Sequence, residues 1–85
     1  MQGQKDIQIA YGRVLREYRE AAGLSQEKLA ALAEMDRTYI SLLERGRRNP
    51  SLTAIMTLSQ FIGISATEQV ELVEAMMASG DLEQT

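Results

Sequence analysis

Four glycines divide the sequence more sharply than any other feature. Gly23, Gly46, Gly63 and Gly80 each close a stretch whose apolar residues recur at helical spacing, and glycine just past a periodic run is the usual C-terminal helix stop. Polar starters face them. Ser25, Asp36 and Ser65 stand where an N-cap accepts from free backbone N–H groups, and Pro50-Ser51 restarts the chain after Gly46. A chain of 85 residues punctuated this often can hold only short helices with short connections.

Five helices are read between these marks, and no strand. The first spans about residues 7–22, with Ile7, Tyr11, Val14 or Leu15, Tyr18 and Ala22 in period and Arg13, Arg16, Glu17 and Glu20 on other faces. The second runs from Ser25 to about Ala33, with Leu29, Ala30 and Ala33 as its buried stripe. Asp36 caps a third over 37–45, whose apolar pair is Ile40 and Leu43. The fourth is expected over Leu52 to Ile62. The fifth, about 65–79, opens with Ser65-Ala66-Thr67-Glu68, a capping box in which serine and glutamate satisfy each other's backbone donors. The closing DLEQT reads as a frayed tail. The expectation is all-α, a compact five-helix domain covering residues 1–85.

Composition excludes several functions. There is no histidine and no cysteine, which removes the commonest general base and metal ligand, all disulfides and all thiolate metal sites. No acid–base pair suggests an enzyme, and no cofactor or small-molecule substrate is expected. No run of about 18 apolar residues offers a membrane span, and MQGQKDIQ lacks the pattern of a secretory signal, so the cytoplasm is the expected location.

Charge is divided along the chain. Overall it is −3, an unpromising sign for a nucleic-acid binder. Yet all nine Lys and Arg lie between Lys5 and Arg48, against seven acids in residues 1–50, for a net +2. Residues 51–85 hold five acids and no base, for −5. The first half is suited to an anion, the second to something else.

The second and third helices with their tight turn, about 25–45, form a helix-turn-helix. In that motif the second helix enters the major groove of double-stranded DNA and its N-terminal residues meet base edges. With Ile40 and Leu43 inward, Arg37, Thr38, Ser41 and Arg45 fall on the opposite face. Arg37 suits bidentate contact with guanine, and Thr38 and Ser41 can donate or accept at a base edge. Arg45 has phosphate or solvent open to it. Gly46 stops the helix, leaving Arg47, Arg48 and Asn49 for the phosphate backbone, contacts that position without reading sequence. Tyr39 can seal the core edge while its hydroxyl reaches phosphate. Arg13 and Arg16 read more simply as solvated helix charges.

GLSQEKLA, YISLLERGRRNPS, the L-x-x-I-x-x-L-x-x-x-I-G pattern from Leu52 to Gly63 and YGRVLREYREAAG together resemble the lambda-repressor-like, Xre-type helix-turn-helix family over about residues 10–66. DRTYIS followed by ERGRRNPS also resembles the controller regulators of restriction-modification systems. The resemblance implies a DNA-binding transcriptional regulator, usually a symmetric dimer. It implies that Gln26 bonds phosphate, that Arg37, Thr38 and Ser41 face the groove, that Arg47, Arg48 and Asn49 form the phosphate loop, and that Arg19 and Glu44 make a structural ion pair. Two positions depart from the pattern. Glu34 stands where the turn usually has glycine, costing about 1 kcal/mol if φ is positive. Leu42 stands where many relatives place a polar groove reader, and either touches a thymine methyl or packs at the domain edge.

The fifth helix carries more apolar residues than one small core can absorb. Val70, Val73 and Met77 are assigned to the core. Leu72 and Met76, with Phe61 or Ile64, form the expected homodimer interface, rimmed by Glu68, Glu71 and Glu74. A dimer would present two recognition helices to an inverted repeat. The alternative is a helix-turn-helix fold that docks protein, as an antitoxin or adaptor.

Overall fold

The computed structural model describes residues 3–80, so the DLEQT tail lies outside the described residues. Five helices follow in order: α1 (Gln4–Ala21), α2 (Gln26–Ala33), α3 (Arg37–Glu44), α4 (Leu52–Leu58) and α5 (Ala66–Ser79). There is no strand among the described residues.

Their ends are built as the punctuation implies. Ser25, Asp36, Ser51 and Ser65 each accept from a backbone N–H of the following turn, an arrangement worth about 1 kcal/mol per cap. At Ser65 the capping box closes in both directions, with Ser65 N–H to Glu68 Oε1 at 3.1 Å and Glu68 N–H to Ser65 Oγ at 3.0 Å.

Two helix boundaries differ from the sequence reading. α1 begins at Gln4 rather than Ile7, because Gln4 and Lys5 are good helix formers and Asp6, weak in a helix interior, sits in the first turn at the positive end of the helix dipole. α4 ends at Leu58 rather than Ile62. There the chain tightens, with Gln60 N–H bonding Thr57 O and Phe61 N–H bonding Leu58 O, three residues back instead of four. The Ser59 hydroxyl donates to the Met56 carbonyl at 2.7 Å. Ile62 is nevertheless buried, so its apolar character reports the core and not the helix.

α1 is the axis of the fold. It packs against α5 on one side and α3 on the other, while α2 bridges α3 and α4. Tyr11, Leu15, Leu29, Ile40, Leu43, Leu58 and Ile62 fill the centre. α5 turns Gln69 and Val73, four residues apart, into this core. The Gln69 amide is satisfied there: its Oε1 accepts from the Tyr11 hydroxyl at 2.7 Å and its Nε2 donates to Ile64 O at 3.4 Å, so burial leaves no orphan polar atom. Burial chiefly, with the Tyr39 phenol adding, pushes the Tyr11 hydroxyl well above the ordinary tyrosine range.

That rotation corrects the expected division of α5. Val70, assigned to the core, is exposed, while Ile64, assigned to the dimer interface, is 6% exposed and belongs to the core. Leu72, Met76 and Phe61 are half-buried against it. The surplus apolar surface instead lies where Val70 meets Leu52 and Met56 of α4, which are 69% and 55% exposed. Ile64 is pinned because its own carbonyl takes the Gln69 amide.

Candidate nucleic-acid interface

The geometry of α3 starts from what it stands on. Its base is α1 at Gly12, which has no side chain to hold the helices apart. A Cβ there would lie 2.5 Å from Leu43 O and 2.7 Å from Glu44 O, so the last turn of α3 rests directly on the α1 backbone. Ile40 and Leu43 are fully buried beside it.

Glu44 then ties three helices together. Its Oε2 accepts from Arg19 Nε at 2.6 Å, and its Oε1 accepts from Arg19 Nη2 and from Gln26 Nε2, each at 3.0 Å. Arg19 Nη1 donates to Leu24 O at 2.7 Å. The carboxylate and the guanidinium are 3% and 10% exposed, a bidentate pair in a sheltered site. The Glu44 hydrogen bond, foremost, holds the Arg19 guanidinium protonated, raising its pKa above the ordinary arginine value against the opposing effect of burial. Gln26 uses one amide N–H on Glu44, so its second remains for another acceptor.

The turn between α2 and α3 is closed by Met35 N–H to Ala30 O and Glu34 N–H to Ala31 O, with Glu34 left-handed at φ +58°. The same wrap ends α3. Arg47 N–H reaches Leu42 O at 2.9 Å and Gly46 N–H reaches Leu43 O at 3.1 Å, around Gly46 at φ +71°, the pairing of a Schellman motif. It swings the chain off the helix axis and leaves Arg47, Arg48 and Asn49 exposed.

Arg37 and Thr38 are exposed at the start of α3, Ser41 and Leu42 are half-buried one turn on, and Arg45 is exposed at the end. Arg37, Arg45 and Arg47 have no ion-pair partner among the described residues. Tyr39 is half-buried, and the Arg48 guanidinium lies 6.0 Å from its ring centroid, within cation–π range.

This arrangement, a short helix and a tight turn presenting a second short helix, matches the family model described as Helix-turn-helix over residues 15–69. The chain belongs to the helix-turn-helix family. Members of this family are transcriptional regulators that bind double-stranded DNA. Similar members include the control protein C.MunI of Mycoplasma sp, 41% identical over 81% of this chain and 95% of that one. The control protein C.BamHI of Bacillus amyloliquefaciens is 37% identical over 78% of this chain and 83% of its own. Among solved structures, the restriction-modification controller protein C.AhdI of Aeromonas hydrophila superposes with TM-score 0.69 at 45% identity, covering 73% of this chain and 94% of its own. The clp gene regulator ClgR of Corynebacterium glutamicum gives TM-score 0.80 at 27% identity, covering 88% and 80%. These similar proteins are named as control proteins and gene regulators. No helix among the described residues is long and apolar enough to cross a membrane.

Two residues that position the helix-turn-helix were not singled out from sequence. Gly12 carried a signal, since glycine inside a helix costs about 1 kcal/mol against alanine and so calls for a packing reason. Gln69 carried none, because a glutamine on an amphipathic helix looks like any surface residue until its partner Tyr11, 58 positions away, is placed.

Proposed function

We propose that this chain is a sequence-specific transcriptional regulator that docks α3 in the major groove of double-stranded DNA as a homodimer on an inverted repeat. The observation that carries the reading is the cationic frame of α3: Arg37 at its start and Arg45 and Arg47 at its end are exposed and unpaired. Held by Gly12 and Glu44, the helix is presented rigidly. Arg37, Thr38 and Ser41 read base edges, and Leu42 adds apolar contact to a thymine methyl. Gln26, Tyr39, Arg45, Arg47, Arg48 and Asn49 hold phosphates and set register. Residues 1–85 act as one DNA-binding unit.

Dimerisation follows from reach. An eight-residue helix touches only a few base pairs, and a two-fold copy doubles the read sequence. The acid-rich second half, which DNA repels, is free for that copy. Leu52, Met56 and Val70 supply the apolar centre, with half-buried Leu72 and Met76 contributing less and Ile64 excluded by its burial.

Selection of purified protein against a random duplex library near physiological salt tests the reading. An enriched inverted repeat, bound with steep loss of affinity as salt rises, is the expected result. Absence of any enriched sequence refutes sequence-specific regulation and transfers the search to a protein partner.

A further inference from the structure

A groove beside α3 extends the surface of Arg45 and Arg47 onto the first helix. It lies between the first turns of α1 and the loop that follows α3, and its walls carry Lys5, Gln8 and Ile9 on one side and Arg45, Gly46 and Arg47 on the other. Close packing at its floor fixes the two walls together. A Cβ on Gly46 would meet Ile9 Cγ1 at 3.0 Å and Ile9 Cα at 3.1 Å, so the loop backbone lies directly against α1.

Three cations from two elements converge here, and none is ion-paired among the described residues. Asp6 neighbours Lys5 in sequence but forms no bridge to any of them. Like charges gathered without a counter-charge are unfavourable in the free protein and are relieved by an anion between them. Gln8 supplies a neutral donor.

We infer that this groove seats the DNA backbone, so that Lys5 and Gln8 of α1 bind phosphates of the strand that Arg45 and Arg47 hold from the other side. The inference rests on the DNA-binding reading above and extends it. The chain grips the duplex with the beginning of its first helix as well as with the helix-turn-helix, and the contacted length of backbone runs beyond the bases that α3 reads. Contacts of this kind add affinity for any sequence and no discrimination.

The test uses the full chain and a 30-base-pair duplex of scrambled sequence, with affinity measured between 50 and 200 mM salt. Lys5→Ala is compared with wild type and with Arg16→Ala, which removes the same charge from an exposed site on α1 where Arg16 pairs with Glu20 at 3.2 Å. One lost phosphate contact lowers the slope of log affinity against log salt by about 0.9. Lys5→Ala is therefore expected to bind several-fold more weakly at 50 mM, with the gap to wild type narrowing about 3.5-fold by 200 mM, while Arg16→Ala keeps the wild-type slope. A wild-type slope for Lys5→Ala overturns the groove assignment, as does an equal loss in both variants, which would reduce the effect to net charge. Wild type that shows no salt-dependent duplex binding overturns the DNA-binding reading itself, and with it the groove.

Discussion

Gly12→Ala is the substitution whose sign is hardest to guess without the fold. In an isolated helix it should stabilise, since alanine is favoured over glycine in a helix interior by about 0.5–1 kcal/mol. Here the new methyl meets two carbonyl oxygens of α3 at 2.5 and 2.7 Å and the Glu44 carbonyl carbon at 3.0 Å. These are backbone atoms, so no rotamer change relieves them. α3 must retreat by about 0.9 Å to restore ordinary contact at 3.4 Å. Overpacking of this kind costs about 1–3 kcal/mol, and the helix gain offsets part of it, leaving a net loss of about 1–2 kcal/mol. For a domain of this size that lowers the melting temperature by roughly 5–15 °C. Leu43 O, one of the displaced atoms, also accepts the Gly46 N–H that turns the chain toward Arg47, so DNA affinity should fall even where the variant is fully folded. Thermal melts followed by circular dichroism, with duplex binding at low temperature, measure both effects. A variant as stable as wild type, or more so, would show that α3 does not rest on α1 as described.

Other expectations follow from the same geometry. Glu44→Ala strands the sheltered Arg19 guanidinium and releases Gln26, and chemical denaturation should show a loss of about 3 kcal/mol or more. Glu34→Gly removes a left-handed non-glycine residue and should raise stability by about 1 kcal/mol, whereas Glu34→Ala should not. Because the folded Tyr11 phenol ionises above its unfolded value of 10.0, the stability it contributes is complete below pH 10. It is lost as pH rises above that, at up to about 1.4 kcal/mol per unit; Tyr11→Phe should flatten this slope in denaturation series between pH 9 and 11. Selections repeated with Arg37→Ala and Arg47→Ala should separate reading from gripping: the first relaxes preference at one base position, the second weakens all sequences alike. Identical behaviour of the two variants and wild type would remove both from the interface.

The sequence was most informative where local rules act alone. Caps and stops placed the starts of α2, α3 and α5 and the ends of α1, α3 and α5 within about a residue, because Ser25, Asp36, Ser65 and the glycines work through bonds to their own neighbours. It failed where burial and helix diverge. Phe61 and Ile62 continue the apolar rhythm of α4 after its hydrogen bonding has tightened into turns, and no periodicity argument separates a buried turn from a buried helix. The rotation of α5 was hidden for another reason. One buried amide, Gln69, outweighs the apolar Val70 beside it because Tyr11 and Ile64 satisfy it, and that depends on contacts far apart in the chain. The face of α3 was readable from Ile40 and Leu43 alone. The groove at Lys5 was not, since it exists only where α1 crosses the loop at Gly46.

α3 divides its duties along its two faces. Ile40, Leu43 and Glu44 hold it in place from within, while the Arg37 and Thr38 side chains project outward with no ion pair or side-chain hydrogen bond among the described residues. Substitutions at those two positions therefore leave the fold almost untouched, as surface changes generally do. On the base-reading role proposed for these two residues, binding preference is free to drift, by mutation or by design, without passing through an unfolded intermediate sequence: its address can be rewritten one letter at a time while the frame that presents it stays the same.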